Sequence, residues 1–183
     1  MPERDLYVEA WQTLVELRQQ GRVRSIGVSN FDPTHIDRII AATRVTPPVN
    51  QIELHPRFQQ RDMRSNHERK NIRLQSWSPL GPGNGGARWW TQHGHGSGTS
   101  LLTAPDVAAV AQAHGKTPAQ IVIAWHLQEG LMLYPKSTHA VRIRENFDVL
   151  DITLSAEEMY RLEALDDTGG RIGAAPANFN LVF

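Results

Sequence analysis

Four groups of polar side chains in this sequence are of the kind that holds a ligand. They are Ser29-Asn30, Gln51 with Glu53 and His55, Ser76-Trp77-Ser78, and Lys136-Ser137-Thr138 followed by Arg142. Asparagine and glutamine amides both donate to and accept from a carboxamide. A tryptophan face suits an aromatic ring. A lysine, a serine and an arginine at the start of a helix suit a phosphate. Taken singly, each residue also has a plainer role: Ser29 and Asn30 as helix caps, Trp77 as core, Lys136 as a solvated cation. Their recurrence at four successive strand ends favours a binding site. Lys70, Lys116 and Lys136 are the only lysines in a chain otherwise supplied with arginine, so a lysine between Pro135 and Ser137 stands out.

Other chemistries find no support. The chain has no cysteine, which excludes disulfides, thiolate zinc sites and thiol nucleophiles. It has no GxSxG elbow and no GxxxxGK[ST] loop. His93 and His95 flank Gly94 in a glycine-rich loop and lack further metal ligands, so no metal site is expected. His55 and His126 read as structural, and Arg61, Arg64, Arg69 and Lys70 as a solvated helix face.

The 183 residues carry 19 Lys+Arg against 19 Asp+Glu, so no global field draws nucleic acid or an anionic membrane. Length and a 40% hydrophobic content predict one globular domain over 1–183. No apolar run is long enough to span a bilayer, and MPERDLYVEAW has no apolar signal core. The cytoplasm is the expected compartment.

The elements that must position these groups alternate between helix and short β-branched strand. Asp5 is placed to cap a helix with Trp11, Leu14, Val15 and Arg18 on one face, stopped at Gly21. Strands are expected at 24–30, 49–54, 71–80 and 131–137. Asp32-Pro33 and Thr117-Pro118 read as helix starts, each a cap followed by proline at the first helical position. Further helices fall at 61–70, 104–114, 139–147 and 155–165, the last opened by the capping box Ser155-Ala156-Glu157-Glu158. Residues 81–100 form a Gly-rich loop, and 166–183 an extended tail.

The order α-βα-βα-β-loop-αα-βαα calls for α/β architecture with parallel strands and right-handed crossovers. An open doubly wound sheet and part of a (β/α)8 barrel both satisfy it. Four strands are about half of such a barrel, which needs about 250 residues.

The stretches YVEAWQTLVELRQQGRVRSIGVSNF (7–31), VTPPVNQIELHP (45–56), LQSWSPLGPG (74–83), GKTPAQIVIAWHLQEG (115–130) and YPKSTHAVRIRENFDVLD (134–151) narrow the choice. In order and spacing the chain resembles the aldo-keto reductases, most closely the bacterial branch that includes the 2,5-diketo-gluconate reductases. The resemblance implies a partial (β/α)8 TIM barrel of about four parallel strands, strands five to eight of the family barrel. It implies NADPH as cofactor and a small-molecule carbonyl substrate reduced by hydride transfer. Ser29, Asn30 and Gln51 would bond the nicotinamide carboxamide, and Trp77 would stack on the nicotinamide ring. Ser78, Pro79 and Leu80 would line the pyrophosphate path. Lys136, Ser137 and Arg142 would hold the adenosine 2′-phosphate with Thr138 beside them, and Glu145 and Asn146 would approach the adenine. Two cations suit a dianionic phosphate, whereas a ribose diol favours a carboxylate.

The pattern departs from the family in one respect. The tyrosine, lysine, aspartate and histidine that reduce the carbonyl belong to the family's first four strands, and neither the tyrosine motif nor the HWP strand occurs in 1–183. The expectation is therefore a truncated chain with the cofactor-binding half and no catalytic residue of its own. Tyr134, two residues before Lys136, is read as a strand tyrosine packed in the core. A noncatalytic NADP-binding or cofactor-sensing module and a nonfunctional fragment are the alternative readings. Half a barrel also leaves open sheet edges near 24–30 and 131–137, with Ile26, Val28, Ile52, Leu54 and Leu133 short of packing partners. The expectation is self-association through those edges, as a dimer closing a barrel-like core, or marginal stability with aggregation. In an intact barrel, Trp89, Trp90 and the tail 166–183 would line a substrate mouth.

Overall fold

A computed structural model describes residues 6–81 and 100–176. The chain divides into two units. The first comprises Met1–Ile52, Arg61–Leu74 and Ala174–Phe183, the second Glu53–Gln60 and Gln75–Gly173.

In the first unit, helix α1 (Leu6–Gln19) turns Val8, Trp11 and Val15 inward at helical spacing. They pack with Ile26 and Ile39 into one apolar cluster, with Tyr7, Leu14, Val23, Val28, Phe31 and Val45 around it. The Trp11 indole N–H donates to Thr43 Oγ1 at 3.2 Å, so the largest core ring leaves no orphaned donor. Strand β1 (Val28–Ser29) pairs in parallel with β2 (Val49–Glu53), Val28 opposite Asn50 and Ser29 opposite Gln51. A Cβ at Gly27 would collide with Val49 Cγ1, so only glycine allows this approach. Helix α2 (Pro33–Thr43) begins at Asp32, whose N–H donates to His35 Nδ1 at 3.2 Å. Helix α3 (Arg61–Arg69) buries His67, leaves Met63, Arg64 and Asn66 half-buried and exposes the rest. Strand β3 (Arg73–Trp77) starts here and ends in the second unit.

In the second unit, β3 pairs in parallel with β4 (Met132–Leu133), Gln75 opposite Met132 and Ser76 opposite Leu133. A 3-10 turn (Leu101–Thr103) leads into α4 (Pro105–His114). Helix α5 (Pro118–Gln128) follows, with every residue from Gln120 to His126 buried. A helix apolar all round belongs at the centre of a core. Its N-terminus is capped reciprocally: Gln120 N–H donates to Thr117 Oγ1 at 3.3 Å and Thr117 N–H to Gln120 Oε1 at 2.9 Å. Helices α6 (Ala140–Phe147) and α7 (Ala156–Glu163) complete the unit. Ser155 and Glu158 form the expected capping box, which holds the Glu158 carboxyl below the usual carboxylate range, chiefly through the Ser155 N–H. The result is an α/β fold with four parallel strands and surrounding helices.

Three expectations need correction. The strands expected at 24–30 and 131–137 are ladders of two residues, Val28–Ser29 and Met132–Leu133. Among the described residues each has a partner on one side only, and an unpaired stretch forms no ladder. Ile26, Ile52 and Leu54 are buried at 6%, 3% and 0% exposure, so they do not lack partners. Exposed apolar side chains gather at α6 and its exit, at Val141, Ile143, Phe147 and Leu150, and Met132 of β4 is exposed as well. The third concerns the tail, where 168–170 is a 3-10 turn and Ile172 and Gly173 are buried. The cap at Asp5, the 82–99 part of the Gly-rich loop with Trp89, Trp90, His93 and His95, and residues 177–183 lie outside the described residues.

Candidate functional site

The polar strand ends are built by sharp backbone turns. Immediately after β1 and β3, Asn30 (φ 57°) and Ser78 (φ 49°) adopt the left-handed conformation. That region is disfavoured for residues with a Cβ, more so for serine than for asparagine. Such outliers cluster at ligand sites, and both of these were singled out from the sequence.

In the first unit, Asn30 N–H donates to Gln51 O at 2.8 Å and Ser29 Oγ donates to the same carbonyl at 3.1 Å. Behind them Asn50, fully buried, accepts the Phe31 N–H at 3.4 Å and donates to Phe31 O at 2.8 Å. Asn50 Nδ2 also lies 2.9 Å from His67 Nε2, and His67 Nδ1 2.9 Å from Met63 O. A carbonyl only accepts, so Nδ1 carries the proton and Nε2 accepts from Asn50. Burial lowers the His67 pKa, which agrees with a neutral ring.

In the second unit, a cavity of about 730 Å³ opens beside β4 and α6. Ser78, Pro79 and Leu80 enter from the β3 end, Lys136, Ser137 and Thr138 from the β4 end, and Arg142, Glu145 and Asn146 from α6. Gly81 closes the Ser78 turn, its N–H donating to Ser78 O at 2.8 Å. A Cβ at Gly81 would come within 2.9 Å of Leu101 Cβ. Nine residues named from the sequence thus share one wall system, while Ser29, Asn30 and Gln51 belong to the first unit. Trp77 is half-buried in the second unit and does not line the cavity.

The electrostatics separate Lys136 from the other lysines. Lys70 pairs with Asp37 at 3.1 Å. Lys116 pairs with Asp151 at 3.1 Å and Asp148 at 3.4 Å, which raises its pKa. Lys136 and Arg142 are exposed on the cavity and have no ion-pair partner among the described residues. Two cations without ion-pair partners among the described residues thus stand at the start of α6, with Ser137 between them in the chain. The Ser137 hydroxyl accepts the His139 N–H at 3.1 Å, which ties the β4 end to the helix start.

Tyr134 corrects a sequence reading. It lies beyond the two-residue β4, is 56% exposed and lines the cavity, so it is not core. The sequence reading also missed His139 and the Thr117-Pro118-Ala119 start of α5, which line the same cavity. The cap-then-proline signal located that helix start but not what it faces. His55 and His126 are buried and bonded, as expected of structural histidines: His55 Nε2 to Glu53 at 3.3 Å, His126 Nδ1 to Val122 O at 2.8 Å. Among the described residues no group of three His, Cys, Asp or Glu is placed to hold a metal. No described helix is long and apolar enough to cross a membrane.

The model of the aldo/keto reductase family matches residues 1–167. An aldo-keto reductase of Mycobacterium sp. (strain KMS) is 44% identical over 180 residues, 98% of this chain and 59% of the relative. The methylglyoxal reductase DkgA of Escherichia coli (strain K12) is 42% identical over 179 residues, covering 98% and 60%. The crystal structure of a Gox0644 variant in complex with NADPH superposes with a TM-score of 0.88 at 46% identity, covering 99% of this chain and 61% of that one. The chain thus spans less than two thirds of the length of these relatives.

Proposed function

Because the chain belongs to the aldo/keto reductase family, we propose that it holds NADPH for the reduction of a small-molecule carbonyl. The observation that carries this reading is the cavity bearing Lys136 and Arg142, both without acidic partners among the described residues. The structure of the Gox0644 variant with NADPH supports it.

Lys136, Arg142 and Ser137 hold the adenosine 2′-phosphate, with Thr138 beside them. Glu145 and Asn146 approach the adenine. Ser78, Pro79 and Leu80 line the pyrophosphate path, where the left-handed Ser78 turns the chain. Trp77 offers its face to the nicotinamide ring, and Ser29, Asn30 and Gln51 bond its carboxamide. When bound, NADPH supplies the hydride. The proton for the nascent alkoxide needs an acid, and residues 1–183 contain none of the family's acid motif. The chain by itself therefore binds cofactor and turns over little or no carbonyl. Its setting is cytoplasmic, in keeping with a cysteine-free chain. The strand edges at β1 and β4 and the apolar α6 face favour association with a second copy.

Titration of the purified chain with NADPH and NADH tests the assignment. Tighter binding of NADPH is the expected result, and equal affinities would sink it. Turnover of an aldehyde with NADPH, abolished by Tyr134→Phe, would instead show that the cavity tyrosine serves as the acid.

A further inference from the structure

Residues 166–173 form a strap fastened along the 53–60 turn. Gln59 N–H donates to Asp166 Oδ1 at 2.9 Å, and Asp167 N–H donates to Arg57 O at 3.1 Å. The Arg171 guanidinium lies over the Phe58 ring, 4.5 Å from its centroid. The strap ends on Glu53, which is 1% exposed. Its carboxylate accepts the Ile172 N–H on Oε1 and the Gly173 N–H on Oε2 at 2.8 Å. His55 Nε2 adds a third bond to Oε1 at 3.3 Å. A buried carboxylate aimed at two successive backbone N–H groups is a strong clamp on backbone direction.

What the clamp presses against is the Trp77 ring. A Cβ at Gly173 would lie 2.7 Å from Trp77 Cη2 and 3.2 Å from Glu53 Oε2. The first distance is shorter than any carbon contact tolerates, and the second leaves no room to retreat. Gly173 has no left-handed φ, so space and not backbone conformation demands glycine here. Bare backbone thus lies beside both the edge of the indole and the carboxylate that bonds it.

We propose that Glu53 is a positioning residue: through the N–H groups of Ile172 and Gly173 it holds the strap against Trp77 and fixes the plane of that ring. The consequence for ligand binding rests on the reading of Trp77 as the nicotinamide platform. An indole free to tilt presents no fixed face, and a ring held at its edge does.

The test is 19F NMR of the full chain labelled with 5-fluorotryptophan, with the Trp77 line assigned by Trp77→Phe among the five tryptophans. Glu53→Gln keeps the size but sets an amide N–H against one backbone donor. Gly173→Ala leaves every bond of Glu53 available and pushes on the ring directly. Both variants should shift or broaden the Trp77 line while the buried Trp125 line keeps its position. A role limited to stability would lower the unfolding midpoint and leave the native Trp77 line where it was. An unmoved Trp77 line in folded Gly173→Ala overturns the proposal, and that variant decides if Glu53→Gln does not fold. NADPH and NADH titrations form the second arm. Gly173→Ala should weaken both by the same factor, about threefold to tenfold for one misplaced aromatic pair. If Lys136→Ala fails to distinguish the two cofactors, the phosphate assignment falls while the Trp77 line still judges the clamp.

Discussion

Asn50 grips Phe31 by both ends of one amide, its Oδ1 accepting the Phe31 N–H at 3.4 Å and its Nδ2 donating to Phe31 O at 2.8 Å. This bond pair reaches from β2 to the residue that follows the left-handed Asn30. It fixes where the Ser29-Asn30 turn ends. Asn50→Leu keeps the volume and leaves both Phe31 groups and His67 Nε2 without the amide. The expected cost is about 1–3 kcal/mol per orphaned buried group, read as a lowered urea midpoint. A midpoint equal to wild type would show that the amide contributes nothing.

His67 makes the same corner sensitive to acid. Its folded pKa is lowered from 6.5, chiefly by burial. Between that folded value and 6.5 the unfolded chain binds more protons, so stability is full above about pH 6.5 and falls on acidification below it. A ring protonated at Nε2 would also face the Asn50 amide N–H. Urea midpoints measured from about pH 7.5 to 5 should decline for wild type and less steeply for His67→Gln. Parallel pH profiles would remove His67 as the cause.

Gly27→Ala should separate β1 from β2, because the added carbon meets Val49 Cγ1. Overpacking of this kind costs about 1–3 kcal/mol. The Val28 and Ser29 amides should then exchange hydrogen faster than in wild type, at unchanged exchange in α5.

Lys136→Ala and Arg142→Ala should each remove a charge-assisted bond of about 1.5–3 kcal/mol to a 2′-phosphate. That is roughly tenfold to a hundredfold weaker NADPH binding, with NADH little changed. Lys116→Ala, whose lysine already pairs with Asp151 and Asp148, is the control and should change neither affinity.

Sedimentation velocity should show concentration-dependent self-association of the chain. The exposed Phe147 (81%) is the last residue of α6 and the exposed Leu150 (82%) follows it. Phe147→Glu should shift the population towards monomer, and a compact monomer at all concentrations would end the idea.

Much of this molecule was legible in one dimension. Thr117-Pro118, Asp32-Pro33 and Ser155 with Glu158 located helix starts because a cap bonds within three or four residues, and local bonds are written in local sequence. Inward faces such as Trp11 with Val15 followed from helical period for the same reason. The candidate ligand residues at strand ends were also readable, since parallel α/β chains expose their strand C-termini. What only the tertiary structure decided were relations between distant segments. Val28–Ser29 is a short ladder because a strand needs a neighbour along its whole length. Tyr134 faces a cavity and not a core because β4 ends before it. Lys136 stands apart from Lys70 and Lys116 only when the positions of Asp37, Asp148 and Asp151 are known. Glu53 meets Ile172 and Gly173 across a separation of 119 and 120 residues. No periodicity or spacing encodes such a bond, because it exists only once the core beneath it has brought the two backbones together.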